Sequence, residues 1–329
     1  MKLSSTVARL FLKVVVSTSL LIFLFSKISA ESLLVHLHSM NRATIAVGIL
    51  VFFASNLIGS FQWHLLLTAS GVRLAFLQSF RFYFVGLFFN NFLPANIGGD
   101  VVKVHNVTRI GSSVYQVIAV TLLDRLLGIF SLCLLATGAV IGVMRFSPID
   151  FLGIYFIIFV GCMAAPLGFY YCEPLSCRLR RLVASIRPLS LDKRGSSILD
   201  YMGEFKSRRL FVARLVLLSV VIQFLRVLTH VLVALGLGVH VDPAVFGLFF
   251  VFVPLLSLAM IPPITVNGLG VREGLGILLF AGAGIGRTDA FAIEFLTYIV
   301  SVLVSLLGVI FFLARPKSRD KASFDTVHI

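Results

Sequence analysis

The chain has 329 residues, of which 59% are hydrophobic and only 13% charged, and its mean hydropathy is +1.04. A soluble domain carries about a quarter charged residues, so this composition excludes one and indicates a polytopic membrane protein. Lys and Arg outnumber Asp and Glu by 28 to 14, and a membrane surface explains this excess better than a nucleic-acid partner does.

Six segments are long and apolar enough to cross the bilayer as helices, which requires about 20 residues each. We expect these transmembrane helices at residues 8–28, 43–67, 114–143, 151–171, 210–238 and 290–314. The first is interpreted as an uncleaved helix, because Lys27 and the length of the apolar run disfavour a signal peptide.

Two further apolar regions are each interrupted by proline and glycine. Residues 80–112 contain Asn90-Asn-Phe-Leu-Pro-Ala-Asn-Ile-Gly-Gly-Asp100, and residues 244–285 contain Ile261-Pro-Pro-Ile-Thr-Val-Asn-Gly-Leu-Gly-Val-Arg-Glu273. Helix-breaking backbone at membrane depth survives only where protein or a water-filled cavity surrounds it, and paired breaks point to a transport site. We therefore predict that each region is a re-entrant or broken-helix hairpin. The alternative is that each half crosses separately, which leaves the topology unchanged.

Charge clusters predict the orientation and the domain organisation. Residues 173–209 hold nine basic and four acidic residues, so we expect a basic cytoplasmic loop between a first membrane half at 1–172 and a second at 210–329. Basic residues near both ends and an even number of crossings place both termini in the cytoplasm, the second half ending in a short tail. The hairpins then enter from opposite faces as inverted repeats. Asp124 and Glu294, which follow Pro94 and Pro263 at similar spacing, support this pairing.

Charged residues and glycines in and beside the breaks are the candidate substrate-binding residues. A charge inside the bilayer costs about 2.5–3.5 kcal/mol on insertion scales, so each must be paired, hydrated or functional. The glycines expose backbone amides where new helices begin, and a helix N-terminus attracts anions such as phosphate. Arg226 and His230, four residues apart, share one helix face and could line a polar path. The candidate set is Asn91, Pro94, Gly98, Gly99, Asp100, Lys103, Asp124, Arg125, Arg226, Asn267, Gly268, Gly270, Arg272 and Glu273.

A purely structural explanation stays open for these residues. The glycines could only permit tight hairpin turns, and Asp124 with Arg125, or Arg272 with Glu273, could form internal ion pairs that lock the bundle. The two explanations differ in what removal of Arg272 does. Loss of a phosphate contact abolishes transport, whereas loss of a partner for a buried acid destabilises the fold.

Signatures of enzymes and of nucleotide-driven pumps are missing from the sequence. It contains no GxxxxGK[ST] phosphate loop, no His-Glu-x-x-His motif and no nucleophile elbow. The four cysteines lack a zinc-binding spacing. We therefore expect no catalytic residue, no cofactor and no metal.

Three stretches, in order, resemble a known family: Gly86-Leu-Phe-Phe-Asn-Asn-Phe-Leu-Pro-Ala-Asn-Ile-Gly-Gly-Asp100, Leu122-Leu-Asp-Arg-Leu-Leu-Gly128, and Pro263-Ile-Thr-Val-Asn-Gly-Leu-Gly-Val-Arg-Glu273. They are similar to the lysylphosphatidylglycerol synthase transmembrane-region family over nearly the whole chain. That family includes the flippase half of the multiple peptide resistance factor, so the resemblance implies lipid translocation and a re-entrant, repeat-built fold. Without that factor's aminoacyltransferase domain, the chain is expected not to make the aminoacylated lipid.

The sequence thus predicts a flippase-like membrane lipid translocase for an anionic phospholipid or a polyprenyl-phosphate-linked lipid. Asp100, Arg272 and Glu273 would gate or bind the headgroup, while Asp124 and Arg125 would hold the cavity. The expected location is the inner membrane, with anionic lipids as partners and no nucleic acid. Two alternatives stay open. One is a membrane enzyme or a non-catalytic subunit that presents a lipid carrier to a separate glycosyl or aminoacyl transferase. The other is a structural or regulatory membrane protein whose basic loop recruits anionic lipid or a cytosolic partner.

Overall fold

A computed structural model describes residues 40–92, 98–144, 151–171, 201–261, 268 and 270–314. Helices make up most of these residues, and none of them lies in a strand. The predicted all-α membrane fold is therefore confirmed. The predicted first span at 8–28, most of the basic loop and the C-terminal tail lie outside the described residues.

The described residues form nine α-helices and one short 3-10 helix. The helices are α1 (Arg42–Ala69), α2 (Phe76–Phe92), α3 (Gly98–Thr108), α4 (Val114–Val143), α5 (Leu152–Tyr171), α6 (Arg209–Gly236), α7 (Pro243–Ala259), α8 (Val271–Ala281) and α9 (Arg287–Leu313), with the 3-10 helix at Glu204–Ser207. By length and composition α1, α4, α6 and α9 can each cross a membrane, in agreement with four predicted spans. α5 covers the predicted segment 151–171, and its part Leu152–Ala164 forms a shorter apolar helix.

Local sequence explains where several helices begin. The Asn41 side chain caps α1 by accepting from the backbone amides of Ala43 and Thr44, and Asp242 caps α7 in the same way ahead of Pro243. The entry to α8 needs two residues in left-handed backbone conformation. Gly268 and Gly270 supply them with φ angles of 76° and 83°, which a residue with a Cβ rarely adopts.

Both interrupted regions are helical hairpins, as predicted. In the first, α3 folds back along α2 so that Gly99 lies against Gly86. In the second, α8 folds back along α7, where the Phe280 ring meets those of Phe249 and Phe252. The helices α3 and α8 have 11 residues each, about 16 Å of length, and are too short to cross a hydrocarbon core of about 30 Å alone.

The two halves repeat the same order of elements. Helices α1 to α4 contain 28, 17, 11 and 30 residues, and helices α6 to α9 contain 28, 17, 11 and 27. The main helix contacts repeat as well: α2 packs on α9 as α7 packs on α4, and α1 packs on α9 as α6 packs on α4. Helix α5 joins the halves and has no counterpart among the described elements.

Equivalent helices of the two halves run in opposite directions. The amide of Asn41, before α1, donates to the carbonyl of Gly236 at the end of α6, at 2.8 Å. At the other end of the pair, Arg208 Nη1 donates to the carbonyl of Ala69 at 3.0 Å. The start of each helix therefore meets the end of the other, and the predicted inverted repeats are confirmed as an arrangement of helices.

Candidate functional site

Charged side chains of the first hairpin meet around Asp100. This residue lies in the first turn of α3, where the helix dipole favours a carboxylate, and Lys103 follows one turn later. Lys103 Nζ is 2.7 Å from Asp100 Oδ1, and Arg125 Nε of α4 donates to Asp100 Oδ2. Asp100 and Lys103 are buried, whereas 41% of the Arg125 side chain is exposed. We call Asp100, Lys103 and Arg125 the first cluster.

Two aromatic rings hold the buried Lys103 ammonium. Its Nζ lies 5.4 Å from the centre of the Trp63 ring and 5.3 Å from that of Tyr83, within the range of cation–π attraction. Gly86 makes room for the lysine stem, since a Cβ there would come within 2.6 Å of Lys103 Cγ. The lysine therefore serves as a fixed partner of Asp100.

Asp124 belongs to a polar chain that ties three spans together. Gln62 Nε2 of α1 donates to Asp124 Oδ1 at 2.9 Å, and Ser219 Oγ of α6 donates to Gln62 Oε1 at 2.8 Å. Lys103 of the first cluster and, more weakly, Arg226 interact electrostatically with Asp124. This placement suits a structural role for Asp124 in holding the cavity wall.

The described residues that flank the first break serve mainly to pack the hairpin. The Gly99 amide donates to Asn90 Oδ1 at 2.8 Å, and a Cβ on Gly99 would overlap the Gly86 carbonyl oxygen. Asn91 Nδ2 donates to Ser305 Oγ at 2.7 Å, which ties the end of α2 to α9. The Gly99 amide is thus used within the hairpin, in line with the structural explanation of that glycine.

A second cluster, formed by His230, Arg272, Glu273 and Glu294, lies around the other break. Glu273 Oε2 accepts from the amide of Gly270 at 2.7 Å and so caps its own helix α8. Glu294 of α9 lies 3.7 Å from Arg272 Nε through Oε2 and 3.7 Å from His230 Nε2 through Oε1. Both carboxylates are buried, and each has one oxygen without a hydrogen-bond partner.

The ion pairs in both clusters join residues that are distant in sequence. Arg125 pairs with Asp100, and Arg272 faces Glu294, whereas the pairs predicted as the structural alternative were with Asp124 and Glu273, their immediate neighbours. Neighbouring residues on a helix point about 100° apart and do not face each other. The alternative that Arg272 pairs with a buried acid therefore matches the geometry, with Glu294 as the acid.

The remaining candidates lie beside these clusters. Gly98 begins α3, and Gly268 packs against the sulfur of Met260 at the second break, while Pro94 and Asn267 lie outside the described residues. Asn91 contacts Ser305 and Arg272 lies over the Tyr298 ring, so the two breaks meet α9 about 10 Å apart along its axis. They are two separate sites along the bundle.

The acidic residues at equivalent positions of the two halves are not the pair that the spacing from proline indicated. Asp100 and Glu273 are each the third residue of their short helix. Asp124 and Glu294, paired by their distance from proline, differ by about one turn in their position along α4 and α9. The hairpin acids are therefore the equivalent residues of the two halves.

Several residues of these clusters were missing from the candidate set. Gln62 and Ser219 were not considered, and Glu294 and His230 were noted as charged or polar without being chosen. The available signal was polarity alone: Gln62 and Glu294 each interrupt a long apolar span, where every polar group needs a partner. Among the described residues, no group of three His, Cys, Asp or Glu side chains could hold a metal ion.

Comparison with known proteins identifies one matching family. The family described as "Lysylphosphatidylglycerol synthase TM region" matches residues 10–308, which is nearly the whole chain. No curated protein matches the chain.

Proposed function

Because this chain belongs to the lysylphosphatidylglycerol synthase transmembrane-region family, we propose that it moves an anionic phospholipid or polyprenyl-phosphate-linked lipid between membrane leaflets. Family membership makes it a membrane protein of lipid handling. Translocation, the absence of enzymatic activity and an inner-membrane location are parts of the proposal.

The observation that carries the proposal is the position of Arg125 at the edge of the first cluster. Its side chain is 41% exposed on a span, while the acid that its guanidinium contacts is buried. Exposure of a guanidinium within an apolar bundle is costly unless it meets water or an anion, and guanidinium matches phosphate with two parallel hydrogen bonds. A lipid phosphate arriving from the bilayer would therefore meet Arg125 first.

Binding of a headgroup to Arg125 would not leave Asp100 without a basic partner. If phosphate takes Arg125 from Asp100, the carboxylate still has Lys103 at 2.7 Å, and Lys103 is held by Trp63 and Tyr83. The N-terminus of α3 begins at the same place and adds partial positive charge. The acyl chains would stay in the lipid phase while the headgroup passes along the break.

The inverted repeat supports movement between two faces. In membrane transporters built this way, one half or bundle rocks against the other around a site near the bilayer centre. The breaks meet α9 on either side of its middle, at Ser305 and Tyr298. A headgroup could thus pass from one break to the other as the halves exchange conformations.

The test is lipid movement by purified protein in liposomes that contain fluorescent phosphatidylglycerol, read by chemical quenching of the outer leaflet. Arg125→Ala should slow movement by about tenfold or more, because a charge-assisted contact contributes about 1.5–3 kcal/mol. Arg125→Lys should keep part of the rate, since an ammonium meets phosphate as a point charge. Arg42→Ala, which removes an exposed arginine at the start of α1, is the matched control.

Wild-type liposomes that move lipid no faster than protein-free ones would contradict the proposal. So would an unchanged rate in folded Arg125→Ala protein. Formation of a lipid-linked product only when a partner transferase is added, without movement between leaflets, would favour the alternative of a carrier-presenting subunit.

A further inference from the structure

The second cluster has fewer bases for its acids than the first. Lys103 and Arg125 both pair with Asp100, and Asp124 lies near Lys103, so two bases serve two acids there, whereas around Glu294 a single arginine meets two buried glutamates. Glu294 is 1% exposed and its Oε1 has no hydrogen-bond partner. The nearest nitrogens lie at 3.7 Å, beyond the range of about 2.7–3.2 Å in which N–H groups bond to oxygen. The surroundings therefore leave one negative charge without a matching donor.

The orientation of His230 shows where a proton would compensate that charge. His230 Nδ1 lies 3.0 Å from the backbone carbonyl of Arg226, and a carbonyl oxygen can only accept, so Nδ1 carries a proton. In the neutral ring Nε2 is then a lone-pair acceptor, and it is this atom that faces Glu294 Oε1. Two acceptors face each other at 3.7 Å, and one added proton, with an approach of about 0.5–1 Å, would join them in a hydrogen bond.

The charged and titratable side chains of the helices packed on α9 either lie near Glu294 or interact with other groups. α8 supplies Arg272 and Glu273, and α6 supplies His230. From α1 and α2, His64 bonds to Ser79, Tyr83 faces Lys103, Arg81 lies over Phe311, and Arg42 is exposed at the helix start. A metal cation does not suit the site, because hard cations take oxygen ligands and the Arg272 guanidinium only donates.

The edge of the cluster is partly exposed. The His230 and Arg272 side chains are 14% and 16% exposed, whereas Glu294 behind them is closed off. We propose that Glu294 and His230 form a proton-binding site, in which one proton shared between Glu294 Oε1 and His230 Nε2 is the ion coupled to lipid movement. The coupling rests on the proposed function, whereas the binding of the proton does not.

Proton binding is tested on the full-length purified protein by infrared difference spectroscopy during a pH titration. Wild-type protein should show a protonated-carboxyl band that Glu294→Gln removes and that Asp289→Asn, on the same helix, retains. His230→Gln should move the midpoint of the band by about one pH unit or more, because it removes the facing acceptor. Glu294→Gln protein is expected to fold, since the substitution removes a buried charge. If Glu294→Gln protein does not fold, the shift of the band in His230→Gln protein still tests the site.

Coupling is tested with fluorescent phosphatidylglycerol in liposomes across an imposed gradient. With one proton per lipid, one unit of pH gradient supports a lipid asymmetry of up to about tenfold, and a sodium gradient supports none. Glu294→Gln should abolish the response to pH. A carboxyl band unchanged in Glu294→Gln, or lipid movement indifferent to pH, would overturn the inference while leaving translocation intact. A titrating carboxyl without lipid movement under any condition would instead overturn the proposed function.

Discussion

At the scale of single residues, Asp100 and Glu294 each lie near bases from other turns or other helices. Asp100 has Lys103 and Arg125, and Glu294 has Arg272 and His230. A buried ion pair adds little net stability over an apolar pair, but removing one partner leaves an uncompensated charge. Substitutions of the bases should therefore be costly, and substitutions of both partners should not.

Replacement of Arg272 by Ala should destabilise the protein by about 3–5 kcal/mol, because Glu294 and Glu273 lose the guanidinium between them. Adding Glu294→Gln to the same variant should restore much of the loss. Denaturation in detergent measures both effects. Arg287→Ala, at the exposed start of α9, is the control and should melt with the wild type. A fully stable Arg272→Ala protein that no longer moves lipid would contradict this role and would instead indicate that Arg272 binds the headgroup.

At the scale of elements, each hairpin depends on a close approach of two helices. The α2–α3 hairpin brings the Gly99 and Gly86 backbones together, and small residues at membrane helix contacts are what permit this approach. The α7–α8 hairpin instead packs through phenylalanine rings around Phe280. Each hairpin is built from a helix of 17 residues and one of 11. The contacts between the two helices differ in chemistry.

Gly99→Ala should therefore open or distort the first hairpin. Its methyl group would overlap the Gly86 carbonyl and press within 2.7 Å of the Asn90 side chain, at a cost of about 1–3 kcal/mol or more. Gly138→Ala in α4 is the matched control, because nothing lies within 4 Å of its added methyl, and it should stabilise the helix by about 0.5–1 kcal/mol. Melting temperatures and protease sensitivity compare the two. Equal effects of the two variants would argue against the close contact.

At the scale of the whole molecule, α1 of the first half packs antiparallel against α6 of the second half. The contact runs along both helices, from Asn41 with Gly236 at one end to Ala69 with Arg208 at the other. Because equivalent helices run in opposite directions, the two hairpins approach from opposite ends of the bundle. The proposed movement of lipid between leaflets would use this geometry.

A designed disulfide can check this arrangement. The added Cβ of a residue at Gly48 would lie 3.6 Å from Leu232 Cβ, within the usual range of about 3.5–4.5 Å for a disulfide. In a background without the native cysteines, Gly48→Cys with Leu232→Cys should cross-link on oxidation, as measured by mass spectrometry. Gly48→Cys with Leu215→Cys, which a parallel packing would bring together, should not. Cross-linking of the second pair alone would reverse the relative direction of α1 and α6.

The all-α membrane fold, four of the described spans, the two helix breaks and the family were predictable from the sequence. These follow from local properties: the hydropathy of about 20 consecutive residues, and the inability of proline and glycine to continue a helix. The repeat was also visible, because equal segment order survives in the linear chain. Family motifs such as Leu122-Leu-Asp-Arg-Leu-Leu-Gly128 needed no knowledge of packing.

The pairing of charges depended on helix packing. Arg125 pairs with Asp100, Arg272 faces Glu294, and Asp124 accepts from Gln62, and each contact joins different helices. The physical reason is that a buried charge takes the partner that helix packing brings within a few ångströms, and packing depends on residues far apart in sequence. The same dependence gave the first cluster two bases beside Asp100 and the second a single arginine beside two glutamates, although both arise from similar breaks in the chain.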